Sequence, residues 1–181
     1  MDAFRQISKE VLGENPWWRY CHDKFLLPDG NEADYFYGET VGSGAAMVIP
    51  MTDDGRLVLV VQHRYLQEKK SIEFPCGGMK IDERPQEAAE RELVEETGLK
   101  SSDMIMVGSF EGLNGVFKDT IHVFVAKELE NTGQPSQDPV EQTEIIFRRI
   151  DEFDEMVKRG EIWDGKTLAA WAIAGDYLLK P

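Results

Sequence analysis

The sequence predicts an α/β protein that has one main domain and a small β unit before it. Two apolar runs, 45–51 and 57–63, have the length of buried strands and are joined by a turn at 52–55. Strong helix formers fill 86–97, and apolar residues at helical spacing recur over 166–179. With 181 residues and 41% hydrophobic content, the chain can bury a core within one domain.

The small β unit is predicted at residues 1–42 and the main domain at 43–181. Residues 1–13 are interpreted as a short amphipathic segment or a frayed terminus. The glycine-rich triplet 42–44 predicts a flexible joint between the two parts.

Turn residues and aromatic residues define that β unit. The turn Pro28-Asp29-Gly30 separates candidate strands at 17–27 and 34–37, which predicts a hairpin. Trp17, Trp18 and Tyr20 lie in the first of these strands, and such aromatic residues most often serve packing.

The remaining elements follow the helix at 86–97. A polar segment at 128–139, which contains two prolines, predicts a mobile or functional loop. The other predicted elements are strands at 104–110, 120–126 and 145–149 and helices at 151–159 and 166–179.

Charge and cysteine content exclude several classes of protein. The formal net charge of −14 argues against a general nucleic-acid or membrane-surface binder, because either would need clustered Lys and Arg. No stretch approaches the length of a membrane span, and the N-terminus lacks a signal peptide's apolar core. Cys21 and Cys76 form no metal-finger or redox pattern, so two reduced thiols and a cytoplasmic location are expected.

An acidic helix is the most informative stretch of the chain. Pro85 suits a first helical turn, and Gly98 is the residue type expected just beyond a helix end. Spacings of three and four residues place Glu92, Glu95 and Glu96 on one face. An isolated run of Glu is usually a solvated face. Converging carboxylates are also the ligands that Mg²⁺ or Mn²⁺ prefers, so a divalent-metal site is the alternative.

The residues around this helix decide between the two interpretations. Gly77 is followed after five residues by Glu83 and after seven more by the run RELVEETGL at 91–99. This pattern resembles the Nudix box at every defining position, and so many fixed residues at fixed spacing make a specific motif. The resemblance implies an α/β/α sandwich with a mixed sheet. It also implies an enzyme that cleaves a nucleoside diphosphate linked to another group.

The resemblance also implies roles for residues in and before the box. Glu92 and Glu96 would be direct metal ligands, Glu95 would share or orient the metal cluster, and the backbone carbonyl of Cys76 would complete the set. Arg91, a candidate catalytic residue together with Glu95, would form a charge pair with Glu83.

Other segments are similar to one subgroup, the ADP-ribose and nucleoside diphosphate sugar pyrophosphatases. That similarity places Arg64 where a guanidinium would bind the diphosphate; a surface salt bridge is the alternative. In this subgroup an N-terminal strand unit swaps across a homodimer and offers an aromatic ring to the base, for which Trp17 or Trp18 is the candidate.

Two loops of the subgroup concern specificity and catalysis. Asn114-Gly115 stands where ADP-ribose specialists carry a proline, often followed by glycine, so Asn114 is a candidate substrate contact and a broader range of sugars is expected. Glu141 is the best match to the glutamate that activates the attacking water, with Glu144 as second candidate. A solvated acidic loop is the alternative for Glu141.

The expected activity is metal-dependent cleavage of nucleoside diphosphate sugars, such as ADP-ribose, to a nucleoside monophosphate and a sugar phosphate. The expected cofactor is Mg²⁺, with Mn²⁺ possible, and the expected assembly is a homodimer without nucleic-acid or membrane partners. A nucleoside triphosphate or dinucleoside polyphosphate pyrophosphatase, and a non-catalytic ligand sensor, remain as alternatives.

Overall fold

The computed structural model describes residues 4–133, 135 and 143–178. The strands are β1 Arg5–Glu14, β2 Trp18–Leu26, β3 Glu32–Thr40, β4 Ala45–Pro50, β5 Arg56–Arg64, β6 Lys69–Glu73, β7 Cys76–Gly78, β8 Leu99–Glu111, β9 Phe117–Lys118, β10 Thr120–Asn131 and β11 Glu144–Arg149. The α-helices are α1 Pro85–Thr97, α2 Ile150–Lys158 and α3 Gly165–Leu178, and a short 3-10 turn covers Tyr65–Gln67.

A mixed four-stranded sheet forms the centre of the main domain. Its strand order is β7-β4-β10-β8, with β4 and β10 parallel and the other pairs antiparallel. A second, antiparallel sheet has the order β11-β5-β6. Helix α1 packs on the central sheet, and α3 also contacts its strands β8 and β10.

Alternating side chains of the central strands build two separate cores. Ala46 and Val48 of β4 face α1, whereas Met47 and Ile49 face the second sheet and the C-terminal helices. Because successive residues of a strand point to opposite faces, one apolar strand supplies both layers. This arrangement confirms the predicted sandwich with a mixed sheet.

Helix α1 forms as the sequence predicts. Pro85 is its first residue, and Gly98 ends it with a left-handed φ of 68° while its N–H donates to the carbonyl of Val94. Ala88, Ala89 and Leu93 are fully buried against the central sheet. The opposite face is therefore left for the glutamates.

The prediction of a frayed terminus was wrong for residues 5–13, because they belong to β1, a strand of an N-terminal sheet with the order β1-β2-β3-β9. Pairing of β1 with β2 shifts register between Gln6 and Ser8 and again between Val11 and Gly13. Each bulge adds a residue and breaks the alternation of apolar and polar side chains. The alternation of apolar and polar residues that identifies a strand is therefore interrupted in the sequence.

The fourth strand of the N-terminal sheet comes from the segment between β8 and β10, which contains Asn114 and Gly115. Strand β9 pairs with β3, and the Gly38 N–H donates to the Val116 carbonyl at 2.9 Å. The Tyr35 hydroxyl donates to the Gly115 carbonyl at 2.6 Å. This segment is thus attached to the N-terminal sheet, while the boundary at residue 42 stays a prediction.

The joint at 42–44 is closely packed, which corrects the expectation of flexibility. A Cβ on Gly42 would overlap the Met79 carbonyl, and one on Gly44 would overlap the Thr120 carbonyl. Glycine at these positions therefore allows the chain to pass close to neighbouring backbone.

Two strands run further than the apolar pattern indicates. The predicted strand 104–110 lies within β8, and the predicted strand 120–126 lies within β10. The two strands pair antiparallel to the end of β10, where Asn131 lies opposite Leu99. Cross-strand hydrogen bonds therefore extend them through polar residues, including the start of the segment predicted as a loop at 128–139.

Within the described residues, no helix is long and apolar enough to cross a membrane.

Candidate active site

A cavity of about 870 Å³ lies between α1, β7, the end of β5 and the base of the N-terminal sheet. Most of the residues predicted from the sequence line it together, namely Trp17, Arg64, Cys76, Arg91, Glu92, Glu95 and Glu96. Pro16, Thr40, Gln62, Asp119 and Thr143 also line it. The structure therefore joins the acidic helix and the N-terminal sheet around one volume.

The loop before α1 approaches the acidic face of the helix closely. The carboxylate of Glu92 lies against Gly77, where a Cβ would overlap the carboxylate atoms. Glu92 is a buried residue of α1. The first glycine of the motif thus makes room for a metal-ligand candidate.

Arg91 connects the loop to the helix. Its Nε and Nη2 donate to the Glu83 carboxylate at 2.8 and 2.9 Å, which confirms the predicted charge pair. Nη2 also donates to the Gly78 carbonyl at 3.0 Å, and Nη1 contacts both Glu92 and Glu95. Hydrogen bonds from Arg91 lower the pKa of Glu83 from 4.5 to about 2.

The donor set of this cavity fits a hard divalent cation. Glu92, Glu95 and Glu96 line the same cavity and supply carboxylate oxygens, which Mg²⁺ and Mn²⁺ prefer. Among the described residues, no three acidic, histidine or cysteine side chains already form a metal-binding group. Arg91 holds two of the carboxylates instead, so a cation would replace or share these contacts.

Cys76 lines the cavity, and its thiol is not reactive. Strand β7 pairs with β4, which places Cys76 opposite Met47, and the Pro75 carbonyl accepts a 2.9 Å hydrogen bond from the Val48 N–H. Burial raises the pKa of the Cys76 thiol to about 12. The thiol is therefore protonated at neutral pH, and it is free, as is Cys21.

Arg64 reaches the cavity in an ion pair that the sequence did not reveal. Its Nε donates to Glu73 Oε1 at 2.7 Å, and its Nη2 contacts Glu73 Oε2. Glu73 is 1% exposed, so this is a buried anchor and differs from the surface salt bridge considered above. The position of Glu73 between the apolar residues Ile72 and Phe74 is a weak signal of its burial in the sequence.

The two tryptophan candidates occupy different places. Trp17 lines the cavity and is 74% exposed. Trp18 lies edge-on against Phe117, with ring centroids 6.4 Å apart. The geometry therefore favours Trp17 for contact with a ligand.

Asn114 and Glu144 are not among the residues that line the cavity. Asn114 is exposed in the turn before β9, and Glu144 begins β11 with its carboxylate 3.9 Å from Lys70 Nζ. Glu141 lies outside the described residues. The roles of these three residues stay predictions.

Sequence reasoning missed Asp119 in the cavity wall. Burial raises the pKa of its carboxyl group, and the positive charge of Lys166 acts in the opposite direction. No motif marks this aspartate in the sequence, since the pairing of β9 with β3 brings it to the cavity.

Comparisons with known proteins agree with this geometry. The crystal structure of an ADP compounds hydrolase superposes with a TM-score of 0.84 over 98% of this chain and 95% of that chain, at 17% identity, which establishes the fold. The Methanol dehydrogenase activator of Bacillus methanolicus is 36% identical over 130 residues, covering 70% of this chain and 69% of that protein. The ADP-ribose pyrophosphatase of Bacillus subtilis is 31% identical over 128 residues, which cover 70% of this chain and 69% of that protein. The NUDIX domain family profile matches residues 41–171, so the chain belongs to the Nudix family and is a Nudix hydrolase related to ADP-ribose pyrophosphatases.

Proposed function

We propose that this chain is a Mg²⁺-dependent pyrophosphohydrolase that cleaves nucleoside diphosphate sugars, with ADP-ribose or a related sugar nucleotide as substrate. The products are a nucleoside monophosphate and a sugar phosphate. The observation that carries this proposal is the single cavity of about 870 Å³ shared by the acidic face of α1 and the N-terminal sheet. Such a volume is typical of sites that enclose a ligand of this size.

The cation site is assigned to the acidic end of the cavity. Glu92, Glu95, Glu96 and the Cys76 carbonyl would hold Mg²⁺, and Mn²⁺ could replace it because both prefer oxygen ligands. A bound divalent cation neutralises diphosphate charge and polarises phosphorus. The Gly77 backbone supports this arrangement, because it leaves room for the Glu92 carboxylate.

Arg91 and Arg64 have different roles in the proposed site. Arg91, held by Glu83, orients Glu92 and Glu95 through its Nη1 group. Glu73 fixes the Nε and Nη2 groups of Arg64, so the guanidinium is pre-organised beside the cavity. Arg64 would bind a diphosphate oxygen, since a guanidinium suits phosphate recognition.

The water that attacks phosphorus requires a base. Glu141 is proposed for this role on positional similarity, with Glu144 as second candidate. Thr143 lines the cavity and is adjacent to Glu144 in sequence, which supports a contribution from this part of the chain.

Two features bear on which nucleotide is bound. Trp17 would stack on the base, because its ring lines the cavity and is 74% exposed. Asn114 stands in the turn fixed to Tyr35 through Gly115. Without a proline there, we expect acceptance of several sugars.

Dimerisation through the N-terminal sheet is part of the proposal. Strand β1 is exposed along its whole length, and large apolar side chains of the sheet face solvent. They are Phe4, Ile7, Val11, Leu12, Tyr20, Tyr35 and Phe36. An exposed apolar patch on an edge strand is typical of a subunit interface. Light scattering of the intact chain should give twice the monomer mass; a monomer mass would contradict the dimer.

Product analysis over a substrate panel tests the proposed activity. The panel contains ADP-ribose, GDP-mannose, a nucleoside triphosphate and a dinucleoside polyphosphate, each with Mg²⁺. We expect the two sugar nucleotides to give a nucleoside monophosphate and a sugar phosphate fastest. Preference for the triphosphate or the dinucleotide would contradict the substrate class, and stoichiometric binding without products would identify a sensor.

A further inference from the structure

Asp119 presents an unused hydrogen-bond acceptor in the cavity wall. Its Oδ1 atom is buried and has no hydrogen-bond partner among the described residues. Asp119 itself lines the cavity. A buried acceptor without a partner is costly and rare in native proteins, so it requires an explanation.

The backbone around Asp119 is held in place on both sides. Before it, the Phe117 ring lies on Gly38, where a Cβ would overlap the ring. After it, the Thr120 carbonyl lies against Gly44, and the Thr120 hydroxyl donates to Glu111 at 2.8 Å. The carboxylate is therefore presented to the cavity by a fixed segment.

The charges near Asp119 differ from those at the metal end of the cavity. Lys166 and Glu111 influence the Asp119 carboxyl group, while Glu96 and Glu92 influence the Cys76 thiol. The positive charge of Lys166 acts on both groups, so it is close enough to each to favour its ionised form. Asp119 makes no ion pair within 4.0 Å in the described part of the chain, so its acceptor is available to a ligand.

We propose that the Asp119 carboxylate accepts a hydrogen bond from a sugar hydroxyl of the bound nucleotide and thereby contributes to substrate specificity. This inference rests on the proposed function. A carboxylate repels the anionic diphosphate and accepts hydrogen bonds, so a neutral donor of the nucleotide is the group that matches it. Thr40, Gly42 and Gly44 also line the cavity, and Gly44 lies against Thr120, the residue that follows Asp119; such small and hydroxylated residues suit a sugar better than an aromatic base. The hydroxyl belongs either to the nucleoside ribose or to the attached sugar.

Binding of non-hydrolysable analogues tests this assignment. The parent probe is ADP-ribose with a methylene group between its phosphorus atoms, measured by titration calorimetry with Mg²⁺. Asp119→Ala should weaken its binding roughly 10- to 100-fold, as expected for loss of a hydrogen bond to a charged group. Asp53→Ala, which removes an exposed carboxylate in the turn after β4, should leave the affinity unchanged.

Three further analogues identify the hydroxyl. One carries a methyl group in place of the attached sugar, one has a 2′,3′-dideoxy nucleoside, and one combines both changes. If Asp119 binds a hydroxyl of the attached sugar, Asp119→Ala should no longer weaken binding of the first analogue. If it binds a hydroxyl of the nucleoside ribose, the substitution should no longer weaken binding of the second. An equal effect with the third analogue would overturn the proposal.

Thermal melting and metal binding separate this role from structural and metal-ligand roles. Asp119→Asn should melt at or near the wild-type temperature, because the buried Oδ1 atom has no hydrogen-bond partner to lose in the described part of the chain. A lower melting temperature with unchanged analogue affinity would show a structural role and overturn the proposal. Weaker binding of Mg²⁺ alone would make Asp119 a metal ligand and would also overturn it.

Turnover by the wild-type protein separates a failure of the proposed hydrolase activity from a failure of the proposed role of Asp119. An inactive protein whose analogue binding follows the expected pattern would contradict the proposed function while supporting the role of Asp119. A wild-type protein that binds none of the analogues would contradict both.

Discussion

The Glu92 carboxylate lies against the Cα of Gly77, in space that any side chain at position 77 would occupy. This contact joins the loop of the Nudix motif to its helix. Gly78, the next residue, has no atom within 4 Å of a corresponding Cβ. The two neighbouring glycines thus have different packing constraints.

Replacing Gly77 by alanine should displace Glu92 and impair the metal site. We expect Gly77→Ala to lose roughly 10- to 100-fold in Mg²⁺ affinity or turnover, the range seen when the support of a metal ligand is disturbed. Gly78→Ala is the matched control and should stay close to wild type. Calorimetry with Mg²⁺ and steady-state kinetics measure both effects. Equal activity of the two variants would show that the Glu92 position is not critical.

Trp17 and Trp18 should respond differently to alanine substitution. Trp17→Ala should raise KM about 5- to 100-fold, the range for loss of one aromatic stack on a base, with little change in melting temperature. Trp18→Ala should chiefly lower the melting temperature, because the ring packs on Phe117. Kinetics and thermal melting of both variants decide this. An unchanged KM for Trp17→Ala would refute base stacking by this residue.

Glu83→Gln should destabilise the protein in a pH-dependent way. The pKa of Glu83 is about 2 in the folded protein against 4.5 for the ordinary group, so the folded state favours its ionised form. Its stabilising contribution is complete above pH 4.5 and is lost as the pH falls towards 2. We expect about 1–3 kcal/mol of lost unfolding free energy at pH 7.

Urea unfolding of wild type and Glu83→Gln at several pH values checks this prediction. The difference in unfolding free energy should shrink below pH 4.5. A difference that is constant with pH would mean that the ion pair with Arg91 contributes nothing through the charge of Glu83.

The acidic side of the cavity was predictable because its signals are local. Pro85, Gly98 and the spacing of Glu92, Glu95 and Glu96 all act within one helix and its flanking loop. Short-range geometry then determines which side chains share a face. The Glu83–Arg91 pair followed from the same motif.

The rest of the site depends on contacts between distant segments. Glu73 meets Arg64 only through the pairing of β5 with β6, and Asp119 reaches the cavity only because β9 joins β3. The sequence does not specify these registers. Strand β1 was missed for a related reason, since two bulges break its alternation.

Phosphorus NMR of ADP-ribose incubated with the protein distinguishes metal-dependent hydrolysis from its alternatives. We expect AMP and ribose 5-phosphate with Mg²⁺, no reaction with a chelator, and loss of most turnover in folded Glu96→Gln. Glu90→Gln, an exposed change on the same helix outside the cavity lining, should keep wild-type turnover. Hydrolysis that persists in the chelator, or a near-wild-type rate for Glu96→Gln at saturating Mg²⁺, would contradict a metal-dependent diphosphate hydrolase built on α1.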